Sequence, residues 1–311
     1  MTVTRADVLA AEQVIRPHIR RTPTVTIDAT DLGLTNDTPL TFKLEHLQHS
    51  GSFKARGALY NVLTQDIPKA GVVAASGGNH GAALAFAAQK AGVPCTIFVF
   101  THTPEAKADR IRSYGAEVHR VAANFDDLMA HTHQFVADTG ALLVHAYDQP
   151  GTLAGQGTVA LEFHEQADLD TLLVATGGGG LIGGIAAYTE HRSRIVSVEP
   201  DLAPTLHDAL AAGRPVPTPA GGIAADSLGP GQIGELMFPV AQRHIDQAIT
   251  VPDSAIHTAW SLLWDKLRLT VEPGGAVALA ALTSGAYQPA PEERIGIVLC
   301  GANTGIVRFP D

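Results

Sequence analysis

Residues 172–184 read Leu172-Leu173-Val174-Ala175-Thr176-Gly177-Gly178-Gly179-Gly180-Leu181-Ile182-Gly183-Gly184. In this stretch an apolar run of strand length leads into four consecutive glycines, and a helical pattern follows them. Four glycines in a row cost considerable backbone entropy unless something must approach the backbone closely. Free backbone N–H groups at the start of a helix form an anion site, so a phosphate is the natural ligand of this turn.

The same order of strand, turn and helix recurs along the chain. Apolar runs predict strands at 40–44, 72–76, 96–100, 118–121, 142–145, 172–176, 195–199 and 295–300. Helical patterns follow Thr4 and lie at 55–63, 79–91, 104–114, 125–139, 152–166 and 181–191. This alternation predicts an α/β fold whose mostly parallel sheets are covered by helices on both faces.

The composition is that of a globular protein with one large or two medium domains. The 311 residues are 45% hydrophobic and carry a net charge of −10. Such an acidic protein is a poor partner for nucleic acid or anionic membranes. We expect a cytoplasmic protein, because no leader-like segment opens the chain and no stretch is long and apolar enough to span a bilayer. Cys95 and Cys300 adjoin apolar runs, which favours buried thiols over a disulfide.

One lysine lies at a junction between loop and helix, in His49-Ser50-Gly51-Ser52-Phe53-Lys54-Ala55-Arg56-Gly57-Ala58. Of the six lysines, Lys54 alone has small and apolar neighbours. Desolvation lowers the pKa of a lysine and makes it a nucleophile or a base. A surface lysine in the first helical turn is the alternative, although cations are disfavoured at a helix N-terminus. We expect Ser52 to cap this helix.

Two other loops also follow predicted strands. Ser76-Gly77-Gly78-Asn79-His80-Gly81 opens a helix and predicts a site for a small carboxylate or a phosphate. A tight turn with a capping asparagine is the alternative, and it leaves His80 unexplained. Cys300-Gly301-Ala302-Asn303 ends the last strand, so its thiol either belongs to the core or faces a ligand at the carboxyl edge of the sheet.

A nicotinamide site is a rival interpretation of the glycine-rich turn. Gly178, Gly180 and Gly183 match the spacing G-x-G-x-x-G, and Glu199 lies near the distance expected of a ribose-binding acid. The motif usually occupies the first strand–helix turn of a domain, whereas here much of the chain precedes it. The histidines lack the spacing of a zinc site, so no metal is expected.

In this order, the motifs resemble those of the pyridoxal-phosphate-dependent serine/threonine dehydratases, which are fold-type II enzymes related to serine racemase. The resemblance rests on 52–57, 76–81, 177–180 and 300–303, and it extends to 154–158 and Glu272-Pro273. It implies two three-layer αβα domains with mostly parallel sheets. The small substrate-binding domain, 71–148, would be inserted into a large cofactor-binding domain formed by 1–70 and 149–311.

The resemblance also implies the roles of individual residues. The cofactor, pyridoxal 5'-phosphate, would be bound by Phe53, Lys54, Asn79, Gly177, Gly178, Gly179, Gly180 and Cys300. Within this set, Lys54 would form a Schiff base and act as the catalytic residue, Phe53 would stack on the ring, Asn79 would contact the ring hydroxyl, and Cys300 would face the ring nitrogen. The substrate would be bound by Ser76, Gly77, Gly78, Asn79, His80 and Tyr147.

The implied reaction is the conversion of L-threonine or L-serine to 2-oxobutyrate or pyruvate and ammonia. Racemases of the group use a serine as second base where this chain has Gly77, and an acid at a divalent-metal site where it has Thr205. Racemisation is therefore disfavoured and no metal is expected. β-Replacement, a nicotinamide oxidoreductase and a catalytically inactive cofactor-binding protein remain alternatives. A homodimer is typical of the group.

Overall fold

The computed structural model describes residues 2–35 and 38–305. The larger of its two sheets has six strands: β1 (Thr24–Asp28), β2 (Pro39–Lys43), β7 (Thr171–Ala175), β8 (Arg194–Pro200), β9 (Gln247–Val251) and β10 (Ile295–Val298). Their order is β1-β2-β10-β7-β8-β9. β1 pairs with β2 antiparallel, and every other pair is parallel.

The second sheet is built from the middle of the chain. Its strands are β3 (Val72–Ala75), β4 (Cys95–Phe100), β5 (Glu117–Ala122) and β6 (Leu142–Leu143). They are parallel throughout and lie in the order β5-β4-β3-β6. The predicted α/β fold with mostly parallel sheets is confirmed. The boundaries of the inserted domain, 71 and 148, stay a prediction.

The helices lie between the strands, and the sequence pattern predicts those up to residue 189 but none of those that follow. They are α1 (Arg5–Ile15), α2 (Lys54–Thr64), α3 (Asn79–Ala91), α4 (Glu105–Arg112), α5 (Phe125–Thr139), α6 (Pro150–Gln166), α7 (Gly180–Thr189), α8 (Thr205–Ala212), α9 (Ala225–Leu228), α10 (Phe238–His244), α11 (Asp253–Leu267) and α12 (Pro273–Thr283). Among the described residues, no helix has both the length and the hydropathy that crossing a membrane requires.

Helix α2 connects the two parts of the fold. Its residues Ala58, Leu59 and Val62 are buried in the apolar core on one face of the four-stranded sheet. On another side, α2 crosses α6 so closely that a Cβ added to Gly155 would lie 2.6 Å from the Cα of Gly57. The helix that begins with Lys54 is therefore fixed against both parts of the molecule.

Local details differ from the sequence prediction where tertiary contacts decide them. Ser52 does not cap α2, because the helix begins at Lys54 after Phe53 and the Ser52 hydroxyl has no partner among the described residues. Helix α4, predicted over 104–114, begins at Glu105 with Pro104 as its capping residue. Strand β1 carries no continuous apolar run, because it is a largely exposed edge strand, and the sequence pattern misses it.

Candidate functional site

A cleft lies where β7 and β10 end at their carboxyl edge. The predicted site residues that line it are Phe53, Lys54, Asn79, Tyr147, Gly177, Gly178, Gly179, Gly180 and Cys300. Ser227, Leu228 and Glu272 also line it, and the sequence assigned them no role. Ser76, Gly77, Gly78 and His80 are close in sequence to Asn79 but do not line this cleft. All the predicted cofactor residues therefore meet, whereas only two of the predicted substrate residues join them.

The loop before Lys54 is clamped to the end of β10. The Phe53 N–H donates to the Cys300 carbonyl at 3.1 Å, and the Ala302 N–H donates to the Gly51 carbonyl at 3.0 Å. Residues Ser52 and Gly301 form an isolated β-bridge between these two contacts. This pairing explains why the backbone, and not the Ser52 side chain, sets the start of α2.

Lys54 is a half-buried amine in the cleft. Its Nζ donates to the Ala146 carbonyl at 2.6 Å and lies 5.2 Å from the centre of the Phe53 ring. Burial lowers the pKa of Lys54 to about 8, although the nearby Cys300 and Glu272 partly oppose this shift. A substantial fraction of the amine is therefore neutral near physiological pH and is able to react as nucleophile or base.

The glycine-rich turn presents a set of unpaired donors. Within the described chain, the backbone N–H groups of residues 177–182 donate to no acceptor, as expected for the first turn of α7. Gly179, the residue before α7, has φ +83°, and its conformation favours glycine. A Cβ on Gly178 would collide with the Tyr147 ring. The glycines thus allow the close packing of Tyr147 and leave a group of donors suited to an anion.

Asn79, Glu272 and Cys300 form the polar wall opposite this turn. The Asn79 Nδ2 donates to the Glu272 Oε1 at 2.5 Å, while its Oδ1 is buried and has no partner among the described residues. Burial raises the pKa of Glu272, which is 3% exposed. Burial also raises the pKa of Cys300 to about 12 and keeps its sulfur a neutral thiol, which lies 3.6 Å from the Gly274 carbonyl.

The loop 76–81, predicted to bind a carboxylate, is stabilised by contacts within the part of the chain that forms the four-stranded sheet. The Ser76 hydroxyl accepts from the Gly78 N–H at 3.3 Å. The His80 Nε2 lies 2.8 Å from the Val144 carbonyl and donates to it, and burial lowers the pKa of His80 to about 3. His80 is therefore a neutral side chain that ties α3 to the end of β6, which the sequence did not reveal. A Cβ on Gly77 would lie 2.9 Å from the Thr103 Cγ2.

Tyr147 sits in a loop that is held by hydrogen bonds. The His145 Nδ1 accepts from the N–H groups of Tyr147 and Asp148 at 3.3 and 2.8 Å. The Asp148 carboxylate in turn accepts from the N–H groups of Glu235 and Leu236. This ordered loop presents the Ala146 carbonyl to Lys54 and the Tyr147 ring to the glycines.

Helix α4 contacts two segments that lead to residues of the cleft. Lys107 forms an ion pair with Asp226, next to the cleft residue Ser227. Arg110, one turn further along, donates to the Ser50 carbonyl at 2.9 Å and so contacts the loop of Lys54. Ser227 lies in the Gly- and Pro-rich segment 215–234.

The arrangement of an activated lysine, free amides and a neutral thiol agrees with a comparison to protein families. The model of the family described as pyridoxal-phosphate-dependent enzyme matches residues 15–301. The chain belongs to this family. Its cofactor is therefore pyridoxal 5'-phosphate, and it has the fold-type II architecture.

Individual relatives in the family carry different activities. A serine racemase from Arabidopsis thaliana is 35% identical over 97% of this chain and 94% of its own length. An L-threonine ammonia-lyase from Geobacter sulfurreducens is 40% identical over 88% of this chain and 69% of its own length. The solved structure of maize serine racemase has a TM-score of 0.91, with 32% identity over 98% of this chain and 95% of that one.

The nicotinamide alternative loses the residue on which it depended. Glu199 is fully buried, and its carboxylate accepts from the backbone N–H groups of Leu206 and His207 and from the Thr205 hydroxyl. These bonds close the N-terminus of α8, so no ribose reaches this acid. The spacing that matched a ribose-binding motif reflects a helix cap.

Proposed function

We propose that the protein is an ammonia-lyase that converts L-threonine, L-serine or both to 2-oxobutyrate or pyruvate and ammonia. The observation that carries this proposal is that Lys54 is the only amine among the described residues that line the cleft, and burial lowers its pKa to about 8. The Glu272 carboxylate also lines the cleft but is bonded to Asn79, and Gly77 carries no side chain that could donate a proton. Elimination needs one base and a departing hydroxyl, while inversion needs an acid on the opposite face as well.

The residues of the cleft fit the cofactor. The unpaired amides of 177–182 would bind its phosphate, and the free Oδ1 of Asn79 would pair with its ring hydroxyl. The Lys54 amine would bind it covalently, with Phe53 against the ring. When bound, the cofactor withdraws electrons from the substrate and makes its α-proton acidic.

Lys54 would also move the proton of the reaction. Once the substrate has displaced it, its amine would remove the α-proton while the β-hydroxyl departs. The enamine that is released hydrolyses to the 2-oxo acid and ammonia. The Cys300 thiol would face the ring nitrogen as a weak hydrogen-bonding partner, which does little to keep that nitrogen protonated. As this weak partner, Cys300 would favour prompt loss of the hydroxyl over return of the α-proton.

Racemisation is the second candidate, because one hydroxyl lies close to Gly77. The Thr103 Oγ1 is 3.0 Å from the point where a Cβ of residue 77 would lie. A threonine there supplies a proton donor that the glycine itself lacks. Thr103→Val removes the hydroxyl and keeps the shape, so it separates the two reactions.

The test of the proposal is product analysis with L-serine and L-threonine. We expect the 2-oxo acid to form much faster than the D-isomer, and Thr103→Val to leave the rate of 2-oxo acid formation almost unchanged. A coupled assay for the 2-oxo acid and chiral chromatography measure the two products. If D-serine appears as fast as pyruvate and Thr103→Val suppresses only the D-isomer, the enzyme is a racemase.

The reaction of the cofactor-free protein with pyridoxal 5'-phosphate is expected to depend on pH through Lys54. The neutral amine is the reacting form, and burial lowers the pKa of Lys54 to about 8. We expect the capture rate to rise about tenfold per pH unit below this pKa and to level off above it, whereas an ordinary lysine would continue to about pH 10.4. Rapid-mixing absorbance measures the rate. A plateau reached only near the ordinary value would contradict the lowered pKa.

The same assay of the 2-oxo acid measures which β-hydroxy amino acid is preferred. The candidates include 3-hydroxyaspartate and substrates with a bulkier β-substituent. The homodimer and the cytoplasmic location stay predictions.

A further inference from the structure

The Asn79 carboxamide is held at one end only. Its Nδ2 donates to Glu272, and its Oδ1 is buried without a partner among the described residues. An ionised carboxylate accepts hydrogen bonds and donates none. In its ionised form, which the hydrogen bonds from the Asn79 Nδ2 and the Asn303 N–H favour against the effect of burial on its pKa, Glu272 can pair only with the Nδ2 end and decides which end of the amide is left over.

The surroundings fix this contact tightly. The Glu272 N–H donates to the Gly301 carbonyl at 3.1 Å, and Pro273 follows it as the first residue of α12. A Cβ on Gly301 would lie 2.5 Å from the Glu272 Oε1 and 3.3 Å from the Asn79 Nδ2. The Glu272 Oε1 and the Asn79 Nδ2 thus lie directly against the backbone of Gly301, and a side chain at this position would push them apart.

No charged side chain competes for Glu272. Within residues 2–35 and 38–305 it forms no ion pair, and Asn79 is its hydrogen-bonded side-chain partner. The charged groups that influence it from neighbouring elements are Asp226, Lys107 and Lys54. Asn79 belongs to the part of the chain that forms the four-stranded sheet, and Glu272 to the part around the six-stranded sheet. The contact therefore spans the cleft.

We propose that Glu272 is a positioning residue that turns the Asn79 carboxamide so that Oδ1 accepts a hydrogen bond from the ring hydroxyl of the cofactor. This inference rests on the proposed function, in which Asn79 lies beside that hydroxyl. A hydrogen bond to one protonation state favours that state. An acceptor at this point favours the hydroxyl that keeps its proton, whereas an amide N–H favours the oxyanion, which absorbs at longer wavelength.

The test is a double-mutant cycle read from the absorbance of the cofactor-loaded protein. Glu272→Met removes the carboxylate at similar length and frees the amide to turn its N–H toward the ring oxygen. We expect the ratio of the long- to the short-wavelength band to rise by roughly two- to tenfold, the range that one net hydrogen bond gives. Glu272→Gln, which keeps the shape without the charge, is expected to raise it less.

The Asn79→Ala background shows whether Glu272 acts through Asn79. There we expect Glu272→Met to leave the band ratio unchanged, since no amide remains to be turned. An equal change in both backgrounds, or no change in either, would overturn the inference. Borohydride labelling of the parent protein separates this result from failure of the proposed function: without a label on Lys54 both fail, and with the label but unchanged spectra only the role of Glu272 fails.

Discussion

Lys54→Ala is expected to lower kcat for the conversion of L-threonine or L-serine by at least roughly 10²–10⁴-fold, the contribution of a positioned acid–base group. The variant loses both the amine that binds the cofactor and the base of the cleft. In the parent protein, burial lowers the pKa of Lys54 to about 8, so its amine is suited to both roles. Steady-state assays of the 2-oxo acid measure the loss. Mass spectrometry after borohydride reduction is expected to find the cofactor on the peptide with Lys54 in the parent only.

Lys69→Ala is the matched control, because Lys69 is exposed and lies outside the cleft. We expect it to retain full activity and the label. Activity that survives in Lys54→Ala at the level of this control would show that another group binds the cofactor and removes the proton.

The second large effect is expected at a group of buried charges between α2, α6 and the end of β2. Lys43, Glu45, Arg56 and Glu162 are all 0% exposed. Arg56 donates to both oxygens of Glu45 at 2.8 and 2.7 Å, and the Lys43 Nζ donates to Glu162 at 2.5 Å. Glu162→Gln would leave Glu45 as the one buried counter-charge of Lys43 and Arg56 in this group, and we expect it to lower the free energy of unfolding by about 3–5 kcal/mol. Denaturant titration of the cofactor-free protein measures the change.

The Glu162 carboxylate is also expected to make the free energy of unfolding depend on pH. Burial raises the pKa of Glu162, but Arg56 and Lys43 outweigh this effect and hold it at about 2. A folded-state pKa below the unfolded value contributes stability above about pH 4.5, and that stability is lost as the pH falls toward 2. We expect the free energy of unfolding of Glu162→Gln to fall less between pH 4.5 and 2 than that of the parent protein.

Glu165→Gln is the control for both measurements. Glu165 lies on the same helix, α6, but its ion pair with Arg21 is half exposed. Surface pairs of this kind contribute at most about 1 kcal/mol. Equal effects of Glu162→Gln and Glu165→Gln would mean that the buried group contributes no more than an ordinary surface pair.

Local sequence patterns were sufficient for the fold because parallel strands and their helices leave strong periodic signals. The strand before Gly177 and the helix after it follow from an apolar run and the glycines. β1 and β9 could not be found in this way, since both are edge strands, β1 is largely exposed, and in β9 only Val251 is buried.

The residues that line the cleft could be predicted where they belong to a short continuous sequence motif. Lys54 and the glycine turn belong to this class. Glu272 does not, because its partner Asn79 is 193 residues away, and only the fold brings the two together. His80 is the converse case: its neighbours in sequence suggested a substrate ligand, the fold places its Nε2 at the Val144 carbonyl, and the substrate role stays a prediction.

The position of α2 has a mechanical consequence. A body that turns about an axis displaces its points in proportion to their distance from that axis. Since α2 is packed into the core of the four-stranded sheet and also crosses α6 at Gly57, it is the natural pivot between the two parts. Lys54, at the end of this pivot, moves little during such a rotation. Asn79, which is bonded to Glu272 across the cleft, would travel further, so opening the cleft would separate Asn79 from Glu272 while Lys54 stays in place.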